Sequence, residues 1–109
     1  MSTLSTHVLD AVSGEPVAGM PVALEHRRDT TWSSLGGGVT DDDGRIRELS
    51  PSALGPGTYR LTFDVDGSVT GASAGFYPEV SIVFRVTAER HYHVPLLLSP
   101  FAYSTYRGS

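Results

Sequence analysis

Residues 60–66 read Arg-Leu-Thr-Phe-Asp-Val-Asp. Leu61, Phe63 and Val65 alternate with Arg60, Thr62, Asp64 and Asp66. A period of two puts the three apolar side chains on one face and the polar ones on the other, the pattern of a strand with one side buried. Outward from this stretch the pattern recurs. Val80 to Val86 sends Val80, Ile82, Phe84 and Val86 inward, and Met20 to His26 does the same with Met20, Val22 and Leu24. Leu4–Leu9 and Tyr92–Leu98 are further apolar, β-branched runs. Turn formers separate them: Ser13-Gly14-Glu15-Pro16, Gly36-Gly37-Gly38, Asp41-Asp42-Asp43-Gly44, Ser50 to Gly57, and Ser99-Pro100. Short strands at regular spacing predict an all-β sandwich or barrel. No stretch shows a long amphipathic helix, and the best position for a short one is Ser68 to Ala74, where glycines weaken it.

The chain has 109 residues, which fits a single domain over residues 1–109 with one modest core. A hydrophobic content of 39% with 18% charge argues against disorder. The net charge of −4 offers no basic footprint for nucleic acid. With no cysteine there is no disulfide, thiolate nucleophile or cysteine metal site. All eight basic residues are arginine, so a lysine Schiff base is also excluded. No apolar run is long enough for a membrane helix, and the first ten residues lack a basic segment followed by an apolar one. A cytoplasmic location is expected.

Chemistry concentrates in four places. In Arg90-His91-Tyr92-His93-Val94-Pro95, alternation puts His91 and His93 on the face opposite Tyr92, Val94, Leu96 and Leu98. They could be two surface histidines, two ligands of a metal ion completed by His7, or an acid–base pair suited to neutral pH. Pro95 has no N–H for a ladder, so irregular pairing is expected there. In the first strand Ser5, His7 and Leu9 share the face opposite Leu4, Thr6 and Val8. Arg45 follows the triple-aspartate turn, either as a solvated counter-charge or as a planar donor fork for an anionic or carbonyl group. Last comes Ala102 to Ser109. An antiparallel hairpin across Ser99-Pro100 would bury Phe101, Tyr103 and Thr105 and turn Ser104 and Tyr106 toward the histidine face.

Three stretches give the chain a family likeness: Leu4-Ser-Thr-His-Val-Leu-Asp10, Thr40-Asp-Asp-Asp-Gly-Arg-Ile46, and His91 to Pro100 running into Tyr103-Ser-Thr-Tyr-Arg-Gly-Ser109. Together they resemble the transthyretin-related proteins, specifically their hydroxyisourate hydrolase branch. The resemblance implies a sandwich of two four-stranded sheets with one short helix, assembled as a homotetramer with clefts between dimers. It implies metal-free, cofactor-free hydrolysis of the small molecule 5-hydroxyisourate to 2-oxo-4-hydroxy-4-carboxy-5-ureidoimidazoline during urate degradation. Its catalytic positions fall on His7, Arg45, His93 and Ser109, and its substrate-binding positions on Tyr106, Arg107 and Gly108. The hormone-carrying transthyretins are expected to lack these residues, so a ligand-binding role without turnover is the alternative. The terminal Tyr106-Arg107-Gly108-Ser109 is then expected to wall the active site.

Overall fold

The computed structural model describes residues 2–50, 52–68 and 75–108. Among them the chain forms eight strands: β1 (Thr3–Asp10), β2 (Pro21–Arg28), β3 (Thr31–Val39), β4 (Arg45–Ile46), β5 (Gly57–Asp64), β6 (Glu79–Val86), β7 (His91–Ser99) and β8 (Ala102–Thr105). They make two four-stranded sheets, in the orders β4-β1-β7-β8 and β3-β2-β5-β6. All pairs are antiparallel except β1 with β7, which run parallel in register from Thr3 opposite His91 to Asp10 opposite Leu98. No helix occurs among the described residues, and the expected helix over Ser68–Ala74 lies, apart from Ser68, outside them.

The period-two runs supply the core. Leu61 and Phe63 of β5, Val22 and Leu24 of β2, Val80 and Val86 of β6, and Leu4 and Val8 of β1 are buried. They meet Tyr92, Val94, Leu96 and Leu98 of β7. Burial of this apolar surface between the two layers is the main force holding the sheets face to face. Ile82 and Phe84 were expected inside and are only partly buried, because β6 is an edge strand with one flank uncovered.

Two local readings are corrected. Gly36-Gly37-Gly38 is not a turn but part of β3, where Gly36, Gly37 and Gly38 pair with Leu24, Ala23 and Val22. Gly37 takes φ 144°, and a Cβ there would collide with the Val22 carbonyl oxygen, so the ladder next to the Leu24/Glu25 bulge needs a residue without a side chain. Phe101 and Tyr103 are not buried but 80% and 41% exposed, and Thr105 is exposed too. The hairpin itself forms as expected, with Leu96 opposite Thr105 and Ser99 opposite Ala102. The short β8 is the last strand of its sheet; Tyr103 meets only the edge of Tyr77, and a hollow of about 370 Å³ separates Thr105 from Ile82 and Phe84 of the other sheet.

Candidate active site

The site grows out of two strands that lie side by side in the same direction. In the parallel β1–β7 ladder, Thr3 stands opposite His91, Ser5 opposite His93, and His7 opposite Pro95. Across the other flank of β1, His7 stands opposite Arg45 of β4. Residues two apart on a strand share a face, and paired residues of neighbouring strands share it as well. Arg45, His7, Ser5, His93, Thr3 and His91 therefore all lie on the outer face of one sheet. Strands spaced about 4.8 Å apart, with about 6.6 Å between same-face residues, bring these groups within reach of one another.

Arg45 is placed by the turn before it. Asp41 Oδ1 accepts hydrogen bonds from the backbone N–H of Asp43 at 2.9 Å and of Arg45 at 3.0 Å. The Arg45 N–H holds the Asp41 carboxyl below the usual carboxylate range. Gly44, at φ 73°, turns the chain back so that its carbonyl accepts from Val8 N at 2.8 Å. The aspartate turn thus acts on Arg45 through the backbone. Among the described residues no ion pair ties its guanidinium to Asp41, Asp42 or Asp43, so the fork is available to a ligand.

His93 is half-buried and makes a specific contact: its Nδ1 lies 2.8 Å from Ser5 Oγ. The same hydroxyl lies 2.8 Å from His91 Nε2, and His91 Nδ1 in turn meets Thr3 Oγ1 at 2.5 Å. Burial lowers the His93 pKa from its ordinary 6.5, and the nearby charges of Arg45, His7 and His91 lower it further. Both effects favour the neutral imidazole. Its Nε2 has no hydrogen-bond partner among the described residues. A hollow of about 390 Å³ opens there, lined by Ser5, Arg45, Arg47, His91 and His93. A second hollow, of about 640 Å³ and lined by His7, Leu9, Arg45 and Arg47, adjoins it. Arg45 and Arg47 form the wall common to both.

The structure thus brings together His7, Arg45 and His93. It does not gather His7, His91 and His93 as metal ligands, and no group of three or more His, Cys, Asp or Glu side chains among the described residues could hold an ion. Ser5 Oγ sits between the two β7 imidazoles and engages one nitrogen of each. Gly108 reaches the site through its backbone: its N–H donates to the His93 carbonyl at 2.8 Å. Tyr106 and Arg107 do not join the histidines. They line a separate hollow of about 370 Å³ with Phe84, Tyr92 and Val94, on the core side of β7. The irregular pairing expected at Pro95 is found on one flank only: the β7–β8 ladder ends at Leu96 and the Pro95 carbonyl accepts from Thr105 Oγ1 at 2.7 Å, whereas the β1–β7 ladder runs through Pro95 in unbroken register. Ser109 lies outside the described residues. Thr3 and Ser5 escaped the sequence reading. Their signal was the matched alternation Thr3-x-Ser5-x-His7 and His91-x-His93, which becomes visible only once the two strands are known to be parallel neighbours.

The chain is 45% identical over 109 residues to the 5-hydroxyisourate hydrolase of Salmonella typhimurium, an alignment covering 97% of this chain and 80% of that protein. It superposes on the structure of Klebsiella pneumoniae 5-hydroxyisourate hydrolase with a TM-score of 0.82 and 36% identity, covering all of both chains. Sea bream transthyretin, crystallised with thyroxine, matches with a TM-score of 0.83 at 31% identity, covering 97% of this chain and 94% of that one. The HIUase/Transthyretin family model matches residues 4–108, and the chain belongs to that family.

Proposed function

We propose that this chain hydrolyses 5-hydroxyisourate in urate degradation, with His93 and His7 handling protons and Arg45 binding the substrate. The observation that carries the reading is a half-buried imidazole, held at Nδ1 by Ser5 and without a hydrogen-bond partner at Nε2 among the described residues, that lines the same hollow as an arginine fork. Water is a weak nucleophile at neutral pH, and a positioned base takes its proton as it attacks a ring carbonyl. Oxygen then bonds to that carbon, negative charge gathers on the carbonyl oxygen, and the carbon–nitrogen bond breaks. The proton goes to the departing ring nitrogen and the six-membered ring opens. Arg45 presents its donors where that oxyanion develops. His7, on the strand between those of Arg45 and His93, lines the adjoining hollow and is placed to bind or protonate the far end of the ring.

Ser109 belongs to the same reading: its neighbour Gly108 is tied to the His93 backbone, which supports a place for the terminal hydroxyl beside the imidazole. Assembly as a homotetramer is part of the proposal as well. The sheet face that bears His7 also carries the partly buried Leu9 and Leu97, apolar side chains that a second sheet would cover. Tyr106 and Arg107 would then meet substrate only through that assembly.

The test is an absorbance assay. Added to urate and urate oxidase, the purified protein should speed the decay of the transient 5-hydroxyisourate signal; an unchanged decay would overturn the reading. The rival is a carrier of transthyretin type, for which the sea bream protein crystallised with thyroxine is the precedent. Calorimetric binding of an apolar ligand with no product formed would favour it; the two arginines and two histidines of the hollow speak against an apolar occupant.

The acid limb of kcat/KM has a predictable position. A base works when deprotonated, and the His93 pKa is depressed, so activity should persist below pH 6.5 and fall only as pH drops through the lowered value. Arg45→Gln removes one of the positive charges responsible, so its acid limb should move upward toward 6.5. An Arg45→Gln limb at the wild-type position would remove Arg45 from the site's electrostatics.

A further inference from the structure

We infer that Thr3, Ser5 and His91 form a proton relay that sets the tautomer of His93 and links its Nε2 to solvent. The inference rests on the hydrolase reading and adds residues to which that reading gives no role. The chain of contacts is continuous: Thr3 Oγ1 to His91 Nδ1, His91 Nε2 to Ser5 Oγ, Ser5 Oγ to His93 Nδ1. It runs from the exposed His91 to the half-buried His93.

A hydroxyl has one proton to give and lone pairs to receive, so the relay has two settings. In the first, His93 Nδ1–H donates to Ser5, Ser5 donates to His91 Nε2, and His91 Nδ1–H donates to Thr3. His93 Nε2 then has a lone pair and is a base. In the second, every hydrogen bond is reversed: Thr3 donates to His91 Nδ1, His91 Nε2–H to Ser5, and Ser5 to His93 Nδ1. His93 Nε2 then carries a proton and is an acid. Uptake of the water proton at Nε2 drives the first setting into the second. The Nδ1 proton passes to Ser5, the Ser5 proton to His91 Nε2, and the His91 Nδ1 proton through Thr3 to solvent. Delivery of the Nε2 proton to the departing ring nitrogen reverses the series, with one proton drawn in from solvent. Protons balance over the cycle.

The physical need is electrostatic. Arg45 on β4, Arg47 just beyond it, His7 on β1 and His91 on β7 all surround His93. An imidazolium held there is opposed by burial and by like charge. Moving the proton outward lets the charge spread to His91, which water solvates. Ser5 and His91 are thus positioning residues; they act on the substrate only through His93.

Nitrogen NMR of histidine-labelled protein tests the relay without turnover. Ser5→Ala should shift both His93 Nδ1 and His91 Nε2 relative to wild type, and Ser5→Thr, which keeps the hydroxyl, should restore them. In the absorbance assay Ser5→Ala and His91→Ala should each lower kcat roughly tenfold with KM nearly unchanged. The double variant should be no slower than the worse single one, because both break the same chain. Added imidazole should recover part of the His91→Ala loss. Unaltered nitrogen shifts in Ser5→Ala, or kcat losses that multiply in the double variant, overturn the inference. A wild-type protein with no turnover instead overturns the functional reading, and the nitrogen shifts then still decide whether the hydrogen-bonded chain exists.

Discussion

His93→Ala is expected to lower kcat for 5-hydroxyisourate by about two to four orders of magnitude, the usual worth of a positioned acid–base group. The fold should survive, because the side chain lies on the outer face of its sheet and contributes nothing to the core formed by Tyr92, Val94, Leu96 and Leu98. Circular dichroism and the thermal midpoint check that half of the prediction, and the absorbance assay checks the other. KM should change little, since Arg45 and His7 still line the hollows where the ring would bind. That split separates loss of chemistry from loss of binding. His93→Asn is the stricter variant. Its amide can keep a hydrogen bond to Ser5 Oγ but cannot cycle a proton, so its kcat should be as low as that of His93→Ala. Near-normal kcat in both would move the base elsewhere, with His7 the first candidate.

The sequence reveals face more readily than neighbour. Alternation along residues 60–66 and 80–86 placed β5 and β6, and the same parity put His7, His91 and His93 outside the core, where the structure has them. The hairpin of β7 and β8 followed from Ser99-Pro100. Two elements stayed hidden. β3 hides because Gly36-Gly37-Gly38 reads as a chain break, although the glycines serve a close approach to Val22. β4 is only two residues long, too short for any period to show. Parity also misjudged Phe101 and Tyr103, since an inward face is buried only where another layer covers it. Within the site, the residue types of His7, Arg45 and His93 were legible. The pairing of Ser5 with His93 was not, because it depends on β1 and β7 being parallel partners almost ninety residues apart in sequence. No local pattern carries that information.

That same distance explains the second large effect. Gly108→Ala is expected to cost about a hundredfold in kcat, the scale associated with misplacing a reacting group by about 1 Å. The glycine is buried and its backbone is bridged to His93. A Cβ built on it would stand 2.6 Å from His93 Cδ2 and 3.2 Å from Cγ. Ordinary carbon contacts begin near 3.5 Å, so either the ring or the terminal segment must move by about an ångström. The clash lies with the His93 ring and not with the backbone: Gly108 does not take a positive φ, so alanine meets no left-handed strain there. If the ring yields, Ser5 Oγ loses its 2.8 Å contact with Nδ1, and the tautomer of His93 is no longer fixed. If the tail yields, the Gly108 N–H bond to the His93 carbonyl breaks. Nitrogen NMR separates the two, since only the first shifts His93 Nδ1. Both routes lower kcat with the thermal midpoint nearly intact, because neither touches the core. A Gly108→Ala protein with wild-type kcat would mean that the ring has room to spare, and with it that the terminal segment plays no part in holding His93.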